Sequence, residues 1–174
     1  WNNYEVRQFL RDVYPASFEE TTMWFQNIQY RRDERNFLIE QEEGHLIGMI
    51  GLRRLNFENR SGELGVYIGE KRWWGKGYGE EAVNAMLHLA FDTINLHRVY
   101  LFTFDFNSRA QATFQRCGFR DEGRPRDGSI AGDVERVGEE LPGTLFAERS
   151  AETDSRCRRC TTGDGRHLRD VSSD

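Results

Sequence analysis

The sequence predicts a mixed α/β fold in which helices pack on one central sheet. Segments with the composition of strands alternate along the chain with segments whose apolar residues recur at helical spacing. All 22 aromatic residues (12 Phe, 6 Tyr and 4 Trp) except Phe146 lie at or before Phe119, so the material for a core is concentrated early in the 174 residues. This distribution indicates one domain, residues 1–124, followed by a segment of different character at 125–174.

The first half of the chain contains a predicted helix and three predicted strands. Residues 17–20 have the Ser-x-x-Glu spacing of a capping box, and the apolar residues that follow predict an amphipathic helix ending near Gln29. Two strand-like runs, 37–40 and 45–52, are separated by a short glycine-containing turn and predict a β-hairpin. A polar loop then leads to a third strand at 63–68.

The second half continues the alternation of helices and strands. A glycine-dense stretch at 75–79 opens directly onto a segment with helical periodicity at 80–91. Residues 98–104 are rich in Val, Tyr, Leu and Phe and predict another strand. Asn107 then lies where a helix N-cap is required, and Gly118 is positioned to end that helix. The apolar face of this last helix comprises Ala110, Phe114 and Cys117.

The charge and hydropathy of the chain argue against two classes of partner. Its formal net charge is −5, from 24 Lys and Arg against 29 Asp and Glu, which gives no electrostatic support for a nucleic acid or an anionic membrane surface. No apolar run approaches the ~20 residues that span a bilayer. We therefore expect neither nucleic acid nor membrane among its partners.

The three cysteines, Cys117, Cys157 and Cys160, are too few and too unevenly spaced for a disulfide framework. No secretory signal segment is recognisable, so we expect a cytoplasmic location. Cys157 and Cys160, together with His167, offer at most three zinc ligands and no second pair, so no metal site is expected. Cys117 lies on an apolar helix face and is interpreted as a core residue.

The C-terminal segment is poor in apolar residues and rich in charge. Residues 120–174 contain eight of Val, Ile, Leu, Met, Phe, Trp and Tyr but 23 Asp, Glu and Arg. Such a segment cannot bury enough apolar area to offset the ~1 to 2 kcal/mol per residue that backbone ordering costs, so we expect residues 125–174 to be largely unstructured. An Arg-rich, Lys-free composition of this kind also arises from a reading-frame shift in a GC-rich gene, a hypothesis that re-sequencing would test.

The segment with the clearest chemical meaning is Trp-Gly-Lys-Gly-Tyr-Gly-Glu-Glu-Ala at 74–82. Alternate glycines let the backbone approach a ligand closely, and the helix that follows directs unpaired N–H groups and a partial positive charge into the loop, so a phosphate or pyrophosphate is expected there. A Rossmann fingerprint beginning at Gly75 would need glycine where Glu80 stands. A Walker A loop would need Ser or Thr after Lys76, which is followed by Gly77.

This loop resembles the Q/R-x-x-G-x-G/A pyrophosphate loop of the GNAT family of acetyl-CoA-dependent N-acetyltransferases, with Trp74 in place of Gln or Arg. Within the family, the sequence is most similar to the branch that includes the ribosomal-protein N-terminal alanine acetyltransferases. Four further segments match in order and spacing, namely Glu-Leu-Gly-Val-Tyr-Ile-Gly at 63–69, Leu-His-Arg-Val at 96–99, Asn107-x-x-Ala110 and Gly118-Phe119.

The resemblance extends over residues 1–124 and implies a mixed, mostly antiparallel central sheet flanked by helices. Because the chain begins at Trp1 and not at Met, we expect the domain to be truncated at its N-terminus and to lack the first strand of that fold. The family continues after the Gly-Phe segment with an apolar strand pair that has no counterpart in the composition here. We therefore expect the last strands to be atypical or missing.

The resemblance also implies how acetyl-CoA is bound. Backbone amides from Gly75 through Glu80 would hold the pyrophosphate, and the backbone around Tyr67 and Ile68 would pair with the pantetheine arm. In the family, the strand corresponding to 98–104 splays away from this cofactor strand, and the thioester lies in the gap. The implied cofactor-binding residues are Tyr67, Ile68, Trp74, Gly75, Lys76, Gly77, Tyr78, Gly79, Glu80 and Asn107.

The mechanism implied by the resemblance is direct attack of a neutral amine on the thioester, without a covalent enzyme intermediate. Glu63, which precedes the cofactor strand, is our candidate general base, the alternative being a solvated glutamate at a strand end. The Tyr that usually protonates the leaving thiolate is replaced by Phe114, which cannot donate a proton. We therefore expect a reduced or rerouted proton step; Ser108 could donate, although its position more simply suggests helix capping.

The sequence thus predicts an N-acetyltransferase that uses acetyl-CoA as co-substrate and needs no metal. A protein or peptide α-amine is the first acceptor considered, with polyamines, aminoglycosides and other small amines as alternatives. Phe114 and the unusual C-terminal segment also allow a catalytically weak acyl-CoA-binding or interaction module. A mononucleotide-binding protein is a third interpretation, in which ATP would compete with CoA at the glycine loop.

Overall fold

The computed structural model describes residues 3–10, 14–28, 30–41, 44–125, 129–135 and 169–170. Its α-helices are α1 (Tyr4–Arg7), α2 (Phe18–Ile28), α3 (Tyr78–His88) and α4 (Ser108–Arg116), with a 3₁₀ turn at Lys71–Trp73 and a π-helical extension of α3 at Leu89–Thr93. Its strands are β1 (Arg35–Glu40), β2 (Leu46–Asn56), β3 (Ser61–Ile68), β4 (Arg98–Phe104), β5 (Arg120–Gly123), β6 (Ser129–Glu135) and β7 (Arg169–Asp170). Together these strands form one sheet in the order β5-β6-β4-β3-β2-β1-β7.

The sheet is antiparallel at every described pairing except the one between β3 and β4. These two central strands are parallel, and they pair only where residues 61–63 face residues 98–100. Beyond that point, no residue of 64–68 pairs with a residue of 101–104, so the two strands separate. The mixed, mostly antiparallel sheet flanked by helices is therefore confirmed, and so is the splayed pair at its centre.

The predicted helix starts are confirmed by their hydrogen bonds. The backbone N–H of Glu20 donates to Ser17 Oγ (3.0 Å), and the backbone N–H of Ser17 donates to Glu20 Oε2 (2.8 Å), which is a complete capping box at the start of α2. At the start of α4, Asn107 Oδ1 accepts from the backbone N–H of Ala110 (3.3 Å). Gly118 follows α4 with a φ of +92°, the left-handed conformation that favours glycine after a helix.

The core lies between the sheet and the face of α3 that carries Ala82, Val83, Met86 and Leu87, all of which are buried. Apolar side chains of β2, β3 and β4, together with Phe91 in the π-helical turn, complete the same cluster. Burying a side chain of this size stabilises the fold by roughly 1.5–3 kcal/mol. This packing anchors the N-terminus of α3, and with it the glycine loop, against the centre of the sheet.

The last strands were expected to be atypical or missing and residues 125–174 to be largely unstructured, and for residues 129–135 the absence of a strand is wrong. These residues form β6, which pairs with β4 over its whole length, from Ser129 opposite Phe104 to Glu135 opposite Arg98. Ile130 and Val134 are buried, and a carboxylate from β6 forms an ion pair with Arg98 on β4. The apolar positions of this short strand were hidden by a composition averaged over 55 residues. The sheet thus includes residues beyond the expected boundary at 124.

The other expectations for the C-terminal segment lie largely outside the described residues. Arg169 and Asp170 pair with Leu38 and Phe37 on β1 and form the outermost strand on that side. Phe146, Cys157, Cys160 and His167 belong to the part of the chain that the structure does not describe. No helix among the described residues combines the length and apolar character needed to cross a bilayer.

Candidate active site

A cavity of about 350 Å³ lies beside the glycine loop, and its lining includes the end of β3 beyond the point where β3 stops pairing with β4. Four parts of the chain form its wall: the segment that contains α1, the end of β3, the loop that leads into α3 with the first turn of that helix, and α4 with its N-cap. The lining residues are Val6, Phe9, Leu10, Val66, Tyr67, Ile68, Trp73, Trp74, Gly75, Gly77, Tyr78, Gly79, Glu80, Asn107, Arg109, Ala110, Thr113, Phe114 and Arg116.

The glycine loop has the geometry of a backbone cradle. Gly75 and Gly77 have φ values of +69° and +93°, which side chains other than glycine rarely adopt. A Cβ atom added at Gly75, Gly77 or Gly79 would meet no other atom within 4 Å, so open space lies in front of all three. Gly77 is also the N-cap of α3 and has no side chain to bind the N–H groups of the first turn. This loop therefore fits a pyrophosphate group.

Two tryptophans support the loop from the side of β3. The indole N–H of Trp74 donates to the backbone carbonyl of Ile68 (3.0 Å), which ties the start of the loop to the end of β3. Trp73 packs edge-to-face on Tyr78, with 5.8 Å between ring centroids. Its Nε1 is buried and, among the described residues, has no hydrogen-bond partner.

Most of the residues predicted from the sequence to bind the cofactor lie around this one cavity. The lining includes Tyr67, Ile68, Trp74, Gly75, Gly77, Tyr78, Gly79, Glu80 and Asn107. Lys76 does not line it, and its Nζ lies 4.8 Å from the centroid of the Trp73 ring. The contacts of these residues with acetyl-CoA remain predictions.

Glu63 lies outside the cavity lining, in a buried ion-pair cluster. Its Oε1 accepts from Arg53 Nε (2.9 Å) and Nη2 (2.6 Å), and its Oε2 accepts from Arg54 Nη1 (2.6 Å). The residue is 1% exposed, so the alternative of a solvated strand-end glutamate is wrong. Both oxygens are occupied by guanidinium groups, which favours an ion-pair role. The assignment of Glu63 as general base remains a prediction.

Aromatic groups occupy the wall near the expected thioester. Phe114 lines the cavity and packs edge-to-face on Phe119, with 5.8 Å between ring centroids. Tyr67 also lines the cavity, and burial raises the pKa of its phenol to about 12, so the hydroxyl is protonated at neutral pH. Ser108 is exposed at the first position of α4 and is absent from the lining.

Cys117 is a core residue, as predicted. It is fully buried, and its Sγ lies 3.8 Å from the carbonyl oxygen of Glu80. Burial is the main reason that the pKa of the thiol is raised to about 12, and the nearby charge of Glu80 adds to the shift. Because the thiolate is the reactive form of cysteine, this side chain is suited to packing and not to nucleophilic chemistry.

Sequence reasoning missed the cavity residues contributed by α1 and by the remaining length of α4. Val6, Phe9 and Leu10 come from the segment that contains α1. On α4, the missed residues are Arg109, Thr113 and Arg116. Spacings of three and four residues from Asn107 through Ala110 and Phe114 could have identified the cavity-facing side of α4, but nothing local marks the residues of α1.

Comparison with known proteins decides the family. Residues 1–120 match the acetyltransferase (GNAT) domain. The chain belongs to the GNAT acetyltransferase family. Among curated relatives, the spermidine N(1)-acetyltransferase of Vibrio cholerae is 30% identical over 122 residues, which cover 70% of each chain. A ribosomal N-acetyltransferase-like protein of Bacillus subtilis, YdaF, is 37% identical over 86 residues, covering 49% of this chain and 46% of YdaF.

Solved structures agree with this family assignment. The crystal structure of spermidine N-acetyltransferase from Vibrio cholerae in complex with CoA and spermine has a TM-score of 0.73 and 25% sequence identity to this GNAT chain. The similarity covers 77% of this chain and 84% of the Vibrio chain. These comparisons confirm the predicted family and the predicted fold. They also confirm the predicted class of reaction, which is acetyl transfer from acetyl-CoA to an amine.

Proposed function

We propose that this GNAT chain transfers an acetyl group from acetyl-CoA to a primary amine of a polyamine. One observation carries the proposal: the cavity is lined both by the glycine cradle at the N-terminus of α3 and by the end of β3, beyond the point where β3 stops pairing with β4. The cradle suits a pyrophosphate, and the edge of β3 that faces away from β2, where the ladder with β4 has ended, suits an extended amide-containing arm. CoA has both groups in one molecule.

The roles of the chain's own residues follow from this arrangement. The N–H groups from Gly75 to Glu80 would hold the pyrophosphate, and the backbone of Tyr67 and Ile68 would align the pantetheine arm with the gap between the strands. Trp74 ties the loop to that strand through Ile68. Holding the thioester and the amine in one gap brings the reacting atoms close together in the right orientation, which the uncatalysed reaction in solution lacks.

The proposed reaction is a single transfer without an acyl-enzyme intermediate. Among the described lining residues there is no cysteine, serine or lysine that could take up the acetyl group, and the hydroxyl of Thr113 donates to the carbonyl oxygen of Arg109 (3.1 Å). The nitrogen of the neutral amine forms the new bond to the thioester carbonyl carbon, the carbon–sulfur bond breaks, and CoA leaves as a thiolate. The proton lost by the nitrogen balances the proton taken up by the thiolate, and solvent can carry both.

The polyamine is preferred as acceptor because the Vibrio cholerae relatives are matched over 70% or more of both chains. A peptide α-amine is the second candidate, supported by the 37% identity to the ribosomal N-acetyltransferase-like YdaF. That identity covers 86 residues, which include less than half of either chain. The two candidates share the cofactor and differ only in the acceptor.

Intact-mass analysis of a mixed library of polyamines, aminoglycosides and peptides, incubated with acetyl-CoA and the chain, tests the proposal. We expect spermidine or spermine to gain mass by one acetyl group in place of one hydrogen. Acetylated peptides without acetylated polyamines would move the function to the second candidate. Acetylation of none of these amines by a chain that binds CoA would overturn both.

A further inference from the structure

Among the described residues that line the cavity, the positive charge of Arg109 is not part of an ion pair. Three of the lining residues have charged side chains: Glu80, Arg109 and Arg116. Arg116 Nε donates to Glu80 Oε2 (2.6 Å), so these two charges neutralise each other. No carboxylate of the described residues lies within 4 Å of Arg109. The charges of the described lining residues therefore sum to +1, and Arg109 carries that charge.

The guanidinium of Arg109 is held by aromatic rings. Its central carbon lies 3.7 Å from the centroid of the Trp74 ring and 5.4 Å from the centroid of the Phe9 ring. Phe9 and Trp74 pack edge-to-face on each other, with 5.8 Å between centroids. Partial burial lowers the pKa of the guanidinium, although an arginine stays charged in proteins. Stacking of this kind holds the plane of the guanidinium and leaves its N–H groups directed outward around the edge.

The platform under Arg109 is part of the cofactor loop itself. Trp74 directly precedes Gly75, and its indole N–H is bonded to the carbonyl oxygen of Ile68 (3.0 Å). Arg109 is two residues after Asn107, the N-cap of α4, and both line the cavity. The contact between Arg109 and Trp74 therefore places a positive charge from α4 next to the residue that directly precedes the glycine cradle.

We propose that Arg109 binds a phosphate group of acyl-CoA and that Trp74 positions it. This inference rests on the proposed function, because acyl-CoA is the phosphate-bearing ligand expected in the cavity. A guanidinium presents several N–H donors in one plane, which match the oxygens of a phosphate better than a single ammonium does. The pyrophosphate and the 3′-phosphate of the adenosine moiety offer the same chemistry, and the ligands of the experiment distinguish them.

Binding of three ligands by calorimetry tests the proposal: CoA, dephospho-CoA, which lacks the 3′-phosphate, and pantetheine, which has no phosphate. For Arg109→Gln we expect about 10- to 100-fold weaker binding of CoA, the range for loss of a charge-assisted hydrogen bond, and unchanged binding of pantetheine. If Arg109 contacts the pyrophosphate, dephospho-CoA loses the same factor. If it contacts the 3′-phosphate, the affinity for dephospho-CoA does not change.

Arg31→Gln is the matched control, because it removes the same charge from an ion pair with Glu34 outside the cavity lining. It should bind all three ligands as the unmodified chain does. The positioning role is tested with Trp74→Leu: its loss of CoA affinity should be smaller in an Arg109→Gln background than in the unmodified chain. Fully additive losses would overturn the positioning role.

Two results would overturn the proposal for Arg109. One is unchanged CoA affinity in Arg109→Gln, and the other is an equal loss for CoA and pantetheine, which would indicate a general disturbance of the cavity. If the unmodified chain bound pantetheine and CoA equally weakly, the phosphate site itself would be wrong. If it bound CoA tightly but acetylated no amine, the proposed function would fail while the role of Arg109 stood.

Discussion

Replacing Glu63 by Gln separates an ion-pair role of this residue from a role as general base. The carboxylate is 1% exposed and accepts three hydrogen bonds, two from Arg53 and one from Arg54. An amide keeps one oxygen to accept from one arginine, but its NH₂ group would face the donor of the other. The variant therefore loses at least one hydrogen bond to a charged group and the ionic attraction to both arginines.

The expected loss of stability can be worked from these contacts. A hydrogen bond to a charged group contributes about 1.5–3 kcal/mol. Because the side chains of Arg53 and Arg54 are 47% and 67% exposed, solvent screening favours the lower part of that range, about 2 kcal/mol. At roughly 2–4 °C per kcal/mol for a chain of this length, Tm should fall by about 4–8 °C.

Thermal unfolding followed by circular dichroism, together with kcat measured well below Tm, provides the test. We expect the fall in Tm with kcat within about threefold of the unmodified chain, since Glu63 is outside the cavity lining. Glu70→Gln is the matched control, because its ion pair with Arg72 is at least half exposed on both sides and should change Tm by about 2 °C at most. An unchanged Tm with kcat reduced 100-fold or more would refute this reasoning and identify Glu63 as the base.

Three further predictions follow from the described geometry. Gly77→Glu places a charged side chain in the open space before the cradle and should abolish CoA binding measured by calorimetry; unchanged affinity would refute the loop assignment. The raised pKa of Cys117 means that the fold favours the protonated thiol. The contribution of this thiol to the free energy of unfolding is therefore complete below pH 9 and is lost as the pH rises from 9 towards 12. Chemical denaturation should show this loss to be smaller in Cys117→Ala, and equal losses would contradict it. Ser17→Ala removes one half of the capping box and should lower the free energy of unfolding by about 1 kcal/mol; no change would mean that the cap contributes nothing.

Local signals explain why much of the fold could be predicted from the sequence. The strand predicted at 98–104 coincides with β4, because β-branched and aromatic residues are concentrated there. The capping box at Ser17 and the cap at Asn107 satisfy backbone N–H groups within a few residues, so their spacing alone identifies them. The cradle at the start of α3 could be predicted for the same reason, since its glycines are contiguous with the helix that they begin.

Features that depend on tertiary contacts could not be predicted. Arg53 and Arg54 are neighbours on β2, and strand alternation would direct them to opposite faces of the sheet. Instead, Arg54 has a φ of +52° and the pairing with β3 shifts register after Arg53, which lets both side chains bind the carboxylate of Glu63. The contact between Trp74 and Arg109 likewise joins residues that are 35 positions apart and have no shared sequence pattern.

The measurement that tests the central claim most directly is release of free CoA thiol when the chain is mixed with acetyl-CoA and spermidine, followed together with the mass of the polyamine. The cavity lined by the glycine loop and the end of β3 predicts one thiol released for each acetyl group gained, with Gly77→Glu reduced to the rate of the reaction without protein. Tight binding of CoA with no thiol release above that rate, for spermidine and every other amine offered, would contradict it. That result would favour an acyl-CoA-binding module over an acetyltransferase.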